Sequence, residues 1–144
     1  ALSRMLAALK PGGWIVLEEP DFSAARGIVG TAAQLAAMQH INQAIHRMYE
    51  SRGMDYALGL TLLPLLQARE LLDLSMENDA PVSAGGSGLA AIMAMSAEQL
   101  RDKYLATGIV SAADLQDYRQ MAEDSRSRAV YYATVGAAGR KKFE

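Results

Sequence analysis

Residues 9–22, Leu-Lys-Pro-Gly-Gly-Trp-Ile-Val-Leu-Glu-Glu-Pro-Asp-Phe, restrict the possible folds more than any other stretch of this 144-residue chain. An amphipathic run ends at Lys10, and Pro11 with two glycines predicts a turn, because proline cannot continue a helix and glycine accepts positive φ. Residues 14–17 form a continuous apolar run, which is typical of a strand covered on both faces. The stretch therefore predicts a helix, a turn and a buried strand of an α/β sheet.

The composition excludes several classes of protein. Hydrophobic residues make up 51% of the chain, which is enough for a core at this length. A net charge of -2 does not favour nucleic-acid or membrane partners, and the lack of cysteine excludes disulfides and thiol nucleophiles. No apolar run approaches the roughly 18 residues of a membrane span, and residues 1–10 do not resemble a signal peptide. We therefore expect a cytoplasmic protein whose partners are small molecules or proteins.

The helix, turn and strand resemble part of a known enzyme family. The chain follows the pattern R-x-L-x-x-L-K-P-G-G-W-x-x-x-E-x-x-D from Arg4 to Asp21. This pattern is similar to the helix and fifth strand of class I S-adenosylmethionine (SAM)-dependent methyltransferases, and residues 63–66 and 71–77 resemble later elements of the same family. The resemblance implies a three-layer α/β fold. Its partial Rossmann-like methyltransferase sheet would consist of the fifth, sixth and seventh strands, with a large helical insertion.

The resemblance also implies how the chain is organised. Residues 1–144 would be the C-terminal portion of a methyltransferase domain. Residues 1–22 would supply the helix and fifth strand, 23–58 a helical lid insertion, and 59–144 the C-terminal helices and antiparallel strands. In the family, the last two strands pair antiparallel beside the fifth, with the final strand between the other two. The residues that bind the cofactor SAM are expected upstream of Ala1, so this chain would supply the acceptor side and be inactive alone.

Glu18, Glu19 and Asp21 are the candidate residues for binding the methyl acceptor, with Phe22 beside them. Ligands of open α/β sheets collect outside the carboxyl ends of parallel strands, which is where the sequence places these acids. A carboxylate there can accept a proton from the acceptor or bind an ammonium group, and Glu19 is the candidate catalytic carboxylate. The alternative is a solvated strand end in which Asp21 caps the next turn.

A long helix is predicted after a loop at residues 24–30. It runs from a cap at Thr31 to about Ser51, with Gly53 beyond its end. Its narrow apolar seam consists of Leu35, Met38, Ile41, Ile45 and Met48. Such a seam is typical of a coiled coil or of a lid over a pocket. In the family, an insertion here often covers the acceptor site, so this helix is the candidate lid.

Both histidines lie on this helix. His40 and His46 are six residues apart, about 120° around the axis, so they cannot chelate one ion and no metal site is predicted. A histidine titrates near neutral pH and can act as a general base; His40, nearer the seam, is the candidate, with a structural role as the alternative. Tyr49 and Tyr56 either line an aromatic acceptor pocket or pack in the core.

A helix and a strand are predicted between residues 62 and 77. Thr61 can cap a helix over 62–70, with Pro64 in the first turn, where its missing N–H costs nothing. Residues 71–77 then alternate between apolar and polar side chains, as in a half-covered strand. The apolar side consists of Leu72, Leu74 and Met76. The family usually has glycine where Glu70 stands, at the turn from helix to strand.

The remaining residues predict a flexible loop at 78–88, two helices and a strand. The glycine run in the loop does not match a phosphate-binding loop, because no Lys-Ser/Thr follows it. A helix is predicted over 89–107, either continuous or restarted by a capping box at Ser96, and another begins at Ser111. Residues 129–135 predict the closing strand, followed by a solvated basic tail at 140–142.

These patterns support three functional hypotheses. The first is SAM-dependent methyl transfer to a small-molecule acceptor. The second is a non-enzymatic helical dimerisation module, and the third is a regulator whose helix seam encloses an apolar effector. The Lys-Pro-Gly-Gly turn favours the first hypothesis. Since residues 14–17 would form an apolar strand with an open edge, we expect a homodimer through this edge or through the helix at 31–53.

Overall fold

The computed structural model describes residues 1–143, which form a mixed α/β structure, as the sequence predicts at the level of class. The helices, α1 to α6 in chain order, are Leu2–Ala8, Ala32–Glu50, Leu58–Gln67, Gly88–Gln99, Arg101–Ala106 and Ala112–Glu123. The strands, β1 to β6, are Trp14–Asp21, Arg26–Val29, Leu72–Asp79, Ser83–Ala84, Arg128–Val130 and Ala133–Arg140, and a short 3₁₀ helix covers Phe22–Ala24.

The chain divides into two compact units, each with its own three-stranded sheet. Unit 1 consists of Ala1–Asp21, Ala57–Asp79 and the chain from Thr134 onward. Unit 2 consists of Phe22–Tyr56 and Ala80–Ala133. Each unit is therefore assembled from segments that are distant in the sequence.

Unit 1 is built on a sheet with the order β1-β6-β3, in which the last strand lies between the other two. β6 is antiparallel to β3, with Ala137 opposite Met76 and Val135 opposite Asn78. This is the strand order that the sequence analysis expects, with the final strand in the centre.

Helices cover only one face of this sheet. Ile15 of β1 and Ala137 of β6 are buried in one cluster with Leu66 of α3. On the opposite face, Trp14 is 51% exposed and Val16 is 67% exposed. The prediction that residues 14–17 are covered on both faces is therefore wrong, and residues 1–143 supply no third layer over Trp14 and Val16.

α3 approaches β6 closely because Gly59 carries no side chain. A Cβ added at Gly59 would lie 2.8 Å from the Cβ of Val135, which is closer than side-chain atoms pack. The small residue thus sets the distance between the helix and the central strand.

The predicted bounds of α3 are wrong because the helix begins one turn earlier than Thr61. The Thr61 hydroxyl donates to the carbonyl oxygen of Leu58 at 2.9 Å, so it does not cap the helix. Pro64 lies inside the helix rather than in its first turn. Packing of the apolar first turn therefore outweighs the local capping signal.

Two residues near the start of β3, one in the turn before it and one within it, have unfavourable backbone angles. Glu70 has φ 55°, the left-handed conformation that favours the glycine expected there. Its side chain contacts Lys142 at 2.7 Å, which lowers the pKa of the Glu70 carboxyl. Asp73 has φ 51°, and the register of β3 with β6 shifts beside it. As a result Leu71 is buried and Leu72 is exposed, contrary to the predicted alternation.

The basic end of the chain holds the turn after α1. The Lys141 ammonium donates to the carbonyl oxygens of Leu6 at 3.0 Å and Leu9 at 2.8 Å. A helix end leaves such carbonyls without backbone partners. The Arg140 guanidinium donates from Nε to the carbonyl oxygen of Gly12 at 3.0 Å. The prediction of a solvated basic tail is therefore wrong for these two residues.

Unit 2 has a helical core around α2. Thr31 forms a capping box with Gln34 at the start of α2, and Ser111 forms one with Asp114 at the start of α6, so both predicted helix starts are confirmed. The buried faces of the two helices consist of Ala37, Met38, Ile41, Ala44 and Ile45 with Leu115, Tyr118, Met121 and Ala122. Burying each large side chain among them contributes about 1.5–3 kcal/mol.

The second sheet, with the order β2-β5-β4, was not predicted. Both outer strands are antiparallel to β5. β2 lies in the predicted loop 24–30, β4 lies in the predicted loop 78–88, and the closing strand predicted at 129–135 is divided between β5 and β6. These three strands have four, two and three residues, which is too short for a periodic pattern.

The glycine run at residues 85–88 packs against α6 and is not an open loop. A Cβ added at Gly85 would collide with the carbonyl group of Asp124. The Gly86 N–H donates to the carbonyl oxygen of Ala122 at 2.7 Å, and the Ser87 hydroxyl caps α4. The glycines therefore permit a close backbone approach.

The predicted helix over residues 89–107 is divided at Leu100 and not at Ser96. Ser96 lies within α4, and its carbonyl oxygen accepts the Leu100 N–H at 3.0 Å. The capping box predicted at Ser96 is therefore wrong, because continuous packing of Met93 and Ala97 keeps this segment helical.

Replacing Glu70 with glycine tests the strain in the α3–β3 turn. Glu70→Gly relieves the left-handed conformation, so the melting temperature should rise by about 2–4 °C. Glu70→Ala keeps the unfavourable angle and loses the contact with Lys142, so its melting temperature should fall. Thermal unfolding followed by circular dichroism measures both. A glycine variant that melts no higher than the alanine variant would show that the turn is not strained.

Lys141→Met removes the ammonium group and keeps the aliphatic stem. The carbonyls at the end of α1 lose a charged donor, so the free energy of unfolding should fall by about 1.5–3 kcal/mol. Lys142→Met is the matched control, because its ammonium contacts only an exposed carboxylate, and it should change stability much less. Urea unfolding measures both. Equal losses in the two variants would contradict a specific role for Lys141.

Candidate functional site

The three predicted acids lie within β1, because this strand extends to Asp21. Alternation along the strand places Glu18 on one face of the sheet and Glu19 with Asp21 on the other. Glu18 is exposed, Glu19 is half-buried and Asp21 is only 2% exposed. The structure therefore does not bring the three carboxylates into one site.

Glu18 lines a groove of about 590 Å³ on the face of unit 1 that carries no helix. Glu77 and Asp79 of β3 and Thr134 and Gly136 of β6 also line it. Glu77 is opposite Gly136 in the register, and Asp79 is opposite Thr134. Three carboxylates on one surface repel anions, so this groove does not suit a negatively charged acceptor.

Phe22 and Tyr49, the two predicted aromatic site residues, lie together in unit 2. Their ring centres are 6.0 Å apart in an edge-to-face arrangement, and Tyr132 lies 5.7 Å from Phe22 on another side. We call these three side chains the aromatic cluster. All three are half-buried, so the cluster offers partly accessible ring surface. Tyr132 was missed because its segment was predicted as uniform strand.

Two further polar groups lie on the side of α2 that carries Tyr49. His46 precedes Tyr49 by three residues and Asn42 precedes it by seven, so all three share one face. The His46 ring stacks on Tyr56 with centres 4.1 Å apart. The Asn42 Oδ1 atom is buried and has no hydrogen-bond partner. A buried acceptor without a donor is uncommon, and among the described residues Asn42 supplies the one such side-chain atom.

His40, the predicted general base, lies elsewhere. It precedes Tyr49 by nine residues, which is about 180° around the helix, so it faces away from the aromatic cluster. Its Nδ1 lies 2.8 Å from Oδ1 of Asp114. Ser111 donates to the other carboxylate oxygen from its hydroxyl at 2.6 Å and from its N–H at 2.8 Å.

The carboxyl group of Asp114 has a lowered pKa. Desolvation by partial burial would raise this pKa, but the hydrogen bonds from Ser111 and the contact with His40 together outweigh that effect. The sequence identified the start of α6 at Ser111 but not the contact between Asp114 and His40, since these two residues are 74 positions apart. This arrangement orients His40 and joins α2 to the start of α6.

The buried tyrosines of unit 2 are packing residues. Burial raises the pKa of Tyr104 to about 12 and raises the pKa values of Tyr118 and Tyr131. The rings of Tyr118 and Tyr131 meet edge to face with centres 6.1 Å apart. Their hydroxyl groups therefore stay protonated at neutral pH, so none of the three can act as a general base.

Comparison with known proteins does not identify a family. No protein-family model matches the chain, and no curated protein matches it significantly. Within residues 1–143, no three acidic or histidine side chains are arranged to hold a metal ion. In the same part of the chain, none of the helices has the length and apolar character needed to span a bilayer.

Asp114→Ala tests the contact between α2 and α6. The variant keeps the Ser111 cap but loses the carboxylate that accepts from Ser111 and contacts His40, so the free energy of unfolding should fall by about 0.5–1.5 kcal/mol at pH 7. Folding lowers the pKa of Asp114, so its contribution is complete above the unfolded pKa of about 3.9 and is lost as pH falls through the folded value.

The difference between wild type and Asp114→Ala should therefore shrink below about pH 4. Urea unfolding at pH 7 and pH 3 measures it. Asp117→Ala, in the same helix but outside the capping box, is the matched control and should show a smaller loss. A difference that persists at pH 3 would show that packing and not charge is responsible.

Proposed function

We propose that residues 1–144 form the acceptor side of a class I SAM-dependent methyltransferase with a Rossmann-like sheet. The observation that carries the proposal is the order β1-β6-β3, with the last strand in the centre and antiparallel to β3. The resemblance implies this order for the fifth to seventh strands. Helix α1, the Lys-Pro-Gly-Gly turn and strand β1 add support. The strand order and this local sequence pattern are two independent features that agree with the same family.

The proposed acceptor is a small molecule with an aromatic ring and a hydroxyl or amine group. The aromatic cluster favours a flat apolar ligand, since ring faces and edges attract other rings. A few polar groups beside an apolar surface are typical of small-molecule sites.

SAM supplies the methyl group in this family, and we assign no residue of the chain to it. The glycine-rich run at 85–88 does not suit it, because close packing against α6 fills the space around Gly85. The chain's own residues would align the acceptor, which is the main requirement of a direct transfer.

The acceptor must also lose a proton when its oxygen or nitrogen gains a carbon. We assign the base to His46, because its ring stacks on Tyr56 and shares a face of α2 with Tyr49. His40, the base predicted from the sequence, faces away from these rings. Glu19, the other catalytic candidate from the sequence, belongs to unit 1, so we assign it no role beside these rings.

A non-enzymatic association module is the second candidate. The exposed Trp14 and Val16 side chains favour it, as does the position of β1 at the edge of its sheet. Light scattering that shows a dimer, together with dissociation of that dimer by Val16→Lys, would support this candidate and the expected homodimer.

Calorimetric titration with SAM tests the methyltransferase proposal on the full-length polypeptide that contains these residues. We expect one SAM molecule per chain, and no binding to residues 1–144 alone. Tyr49→Ala and His46→Ala should leave the affinity for SAM unchanged and lower turnover of a phenolic acceptor by about 10²-fold or more. Arg126→Gln, an exposed substitution elsewhere in unit 2, is the control. A full-length protein that does not bind SAM would overturn the proposal.

A further inference from the structure

A groove of about 410 Å³ lies between the ends of α2 and α5 in unit 2. No side chain of the aromatic cluster lines it. Its charged lining residues are Arg47, Arg52 and Lys103. Met48 and Ala106 form an apolar wall, and Ser51 and Thr107 complete the lining. Three cations therefore surround a space that is large enough for one small ligand.

The hydroxyl groups of the groove are already used. Ser51 donates to the carbonyl oxygen of Met48 at 2.9 Å, and Thr107 donates to that of Tyr104 at 2.6 Å. Both hydroxyls fix the last turn of a helix and have no proton left to donate. Recognition of a ligand in this groove therefore depends on the three cations.

The nearby negative charges do not neutralise these cations. Arg47 lies 3.9 Å from Glu50, and both side chains are well exposed, so this pair is weak. The carboxyl ends of α2 and α5 each present about half a negative charge. Within residues 1–143, Arg52 and Lys103 form no ion pair. The groove therefore keeps a positive charge in a chain whose net charge is -2.

The lining chemistry restricts the ligand further. The described lining residues include no aromatic side chain on which a nucleic-acid base can stack. Guanidinium groups bind phosphate oxygens with two parallel hydrogen bonds, and an ammonium adds a compact charge. The apolar wall formed by Met48 and Ala106 can contact a short carbon chain beside the anion.

We infer that this groove binds a phosphate monoester through Arg47, Arg52 and Lys103. The ligand can be a soluble metabolite or the headgroup of a phosphatidic lipid, since both carry the same dianionic group. The groove shares α2 with the proposed methyl-acceptor site, but no side chain of the aromatic cluster lines it, so phosphate binding can be measured without methyltransferase activity.

Nuclear magnetic resonance titration of the 144-residue chain with inorganic phosphate, and then with glycerol 3-phosphate, tests the inference. Ionic strength is held constant with sodium chloride. We expect saturating shifts of backbone amides near residues 47–52 and 103–107, with a dissociation constant on the order of 1 mM. Arg52→Gln and Lys103→Gln should each weaken binding about fivefold. Arg26→Gln removes one exposed positive charge elsewhere in unit 2 and should leave binding unchanged.

Co-sedimentation with vesicles of phosphatidic acid and phosphatidylcholine distinguishes the two sources of the phosphate. Binding to vesicles that is lost in Lys103→Gln, with glycerol 3-phosphate bound no better than inorganic phosphate, supports a lipid headgroup. Tighter binding of glycerol 3-phosphate without co-sedimentation supports a soluble ligand. Shifts that do not saturate, or that fall equally in Arg26→Gln, would overturn the inference. Such a result would show only non-specific attraction between the anion and positive charges on the surface.

Discussion

Backbone pairing of β6 with two neighbours is the interaction on which unit 1 depends. β6 lies between β1 and β3, and its small side chains bury little apolar area. α3 approaches the strand closely because Gly59 of the helix has no side chain beside Val135. At the end of the strand, Arg140 and Lys141 donate to carbonyls of the turn after α1. β6 and the residue after it therefore connect the sheet of unit 1, helices α1 and α3, and the Lys-Pro-Gly-Gly turn.

Local signals in the sequence predicted those parts of the fold that local interactions determine. The helix starts at Thr31 and Ser111 were found because each hydroxyl accepts from a backbone N–H within one turn of its own helix. The short strands of unit 2 were missed, since their pairing depends on residues far away in the chain. Leu72 was misplaced because the left-handed conformation of Asp73 interrupts the alternation of β3. An apolar run such as 14–17 does not reveal whether one face or two are covered.

The structure brings two of the predicted site residues together. Phe22 and Tyr49 were chosen for their chemistry, and their rings lie 6.0 Å apart. His46 was passed over in favour of His40, because distance from an apolar seam says nothing about which side of the helix meets other aromatic rings. Tyr132 and the contact between His40 and Asp114 required tertiary structure, since residues 74 positions apart leave no common pattern in one sequence.

The position of β6 also has a consequence for biosynthesis. β1 and β6 are separated by roughly 110 residues, so a ribosome needs about 5–20 seconds to produce the partner after β1 has been made. In this interval the ribosome produces both segments of unit 2, and between them residues 57–79 of unit 1. During that time β1 lacks its native partner β6. The nascent chain therefore passes through a state in which chaperones or other copies can bind β1 before its own last strand does.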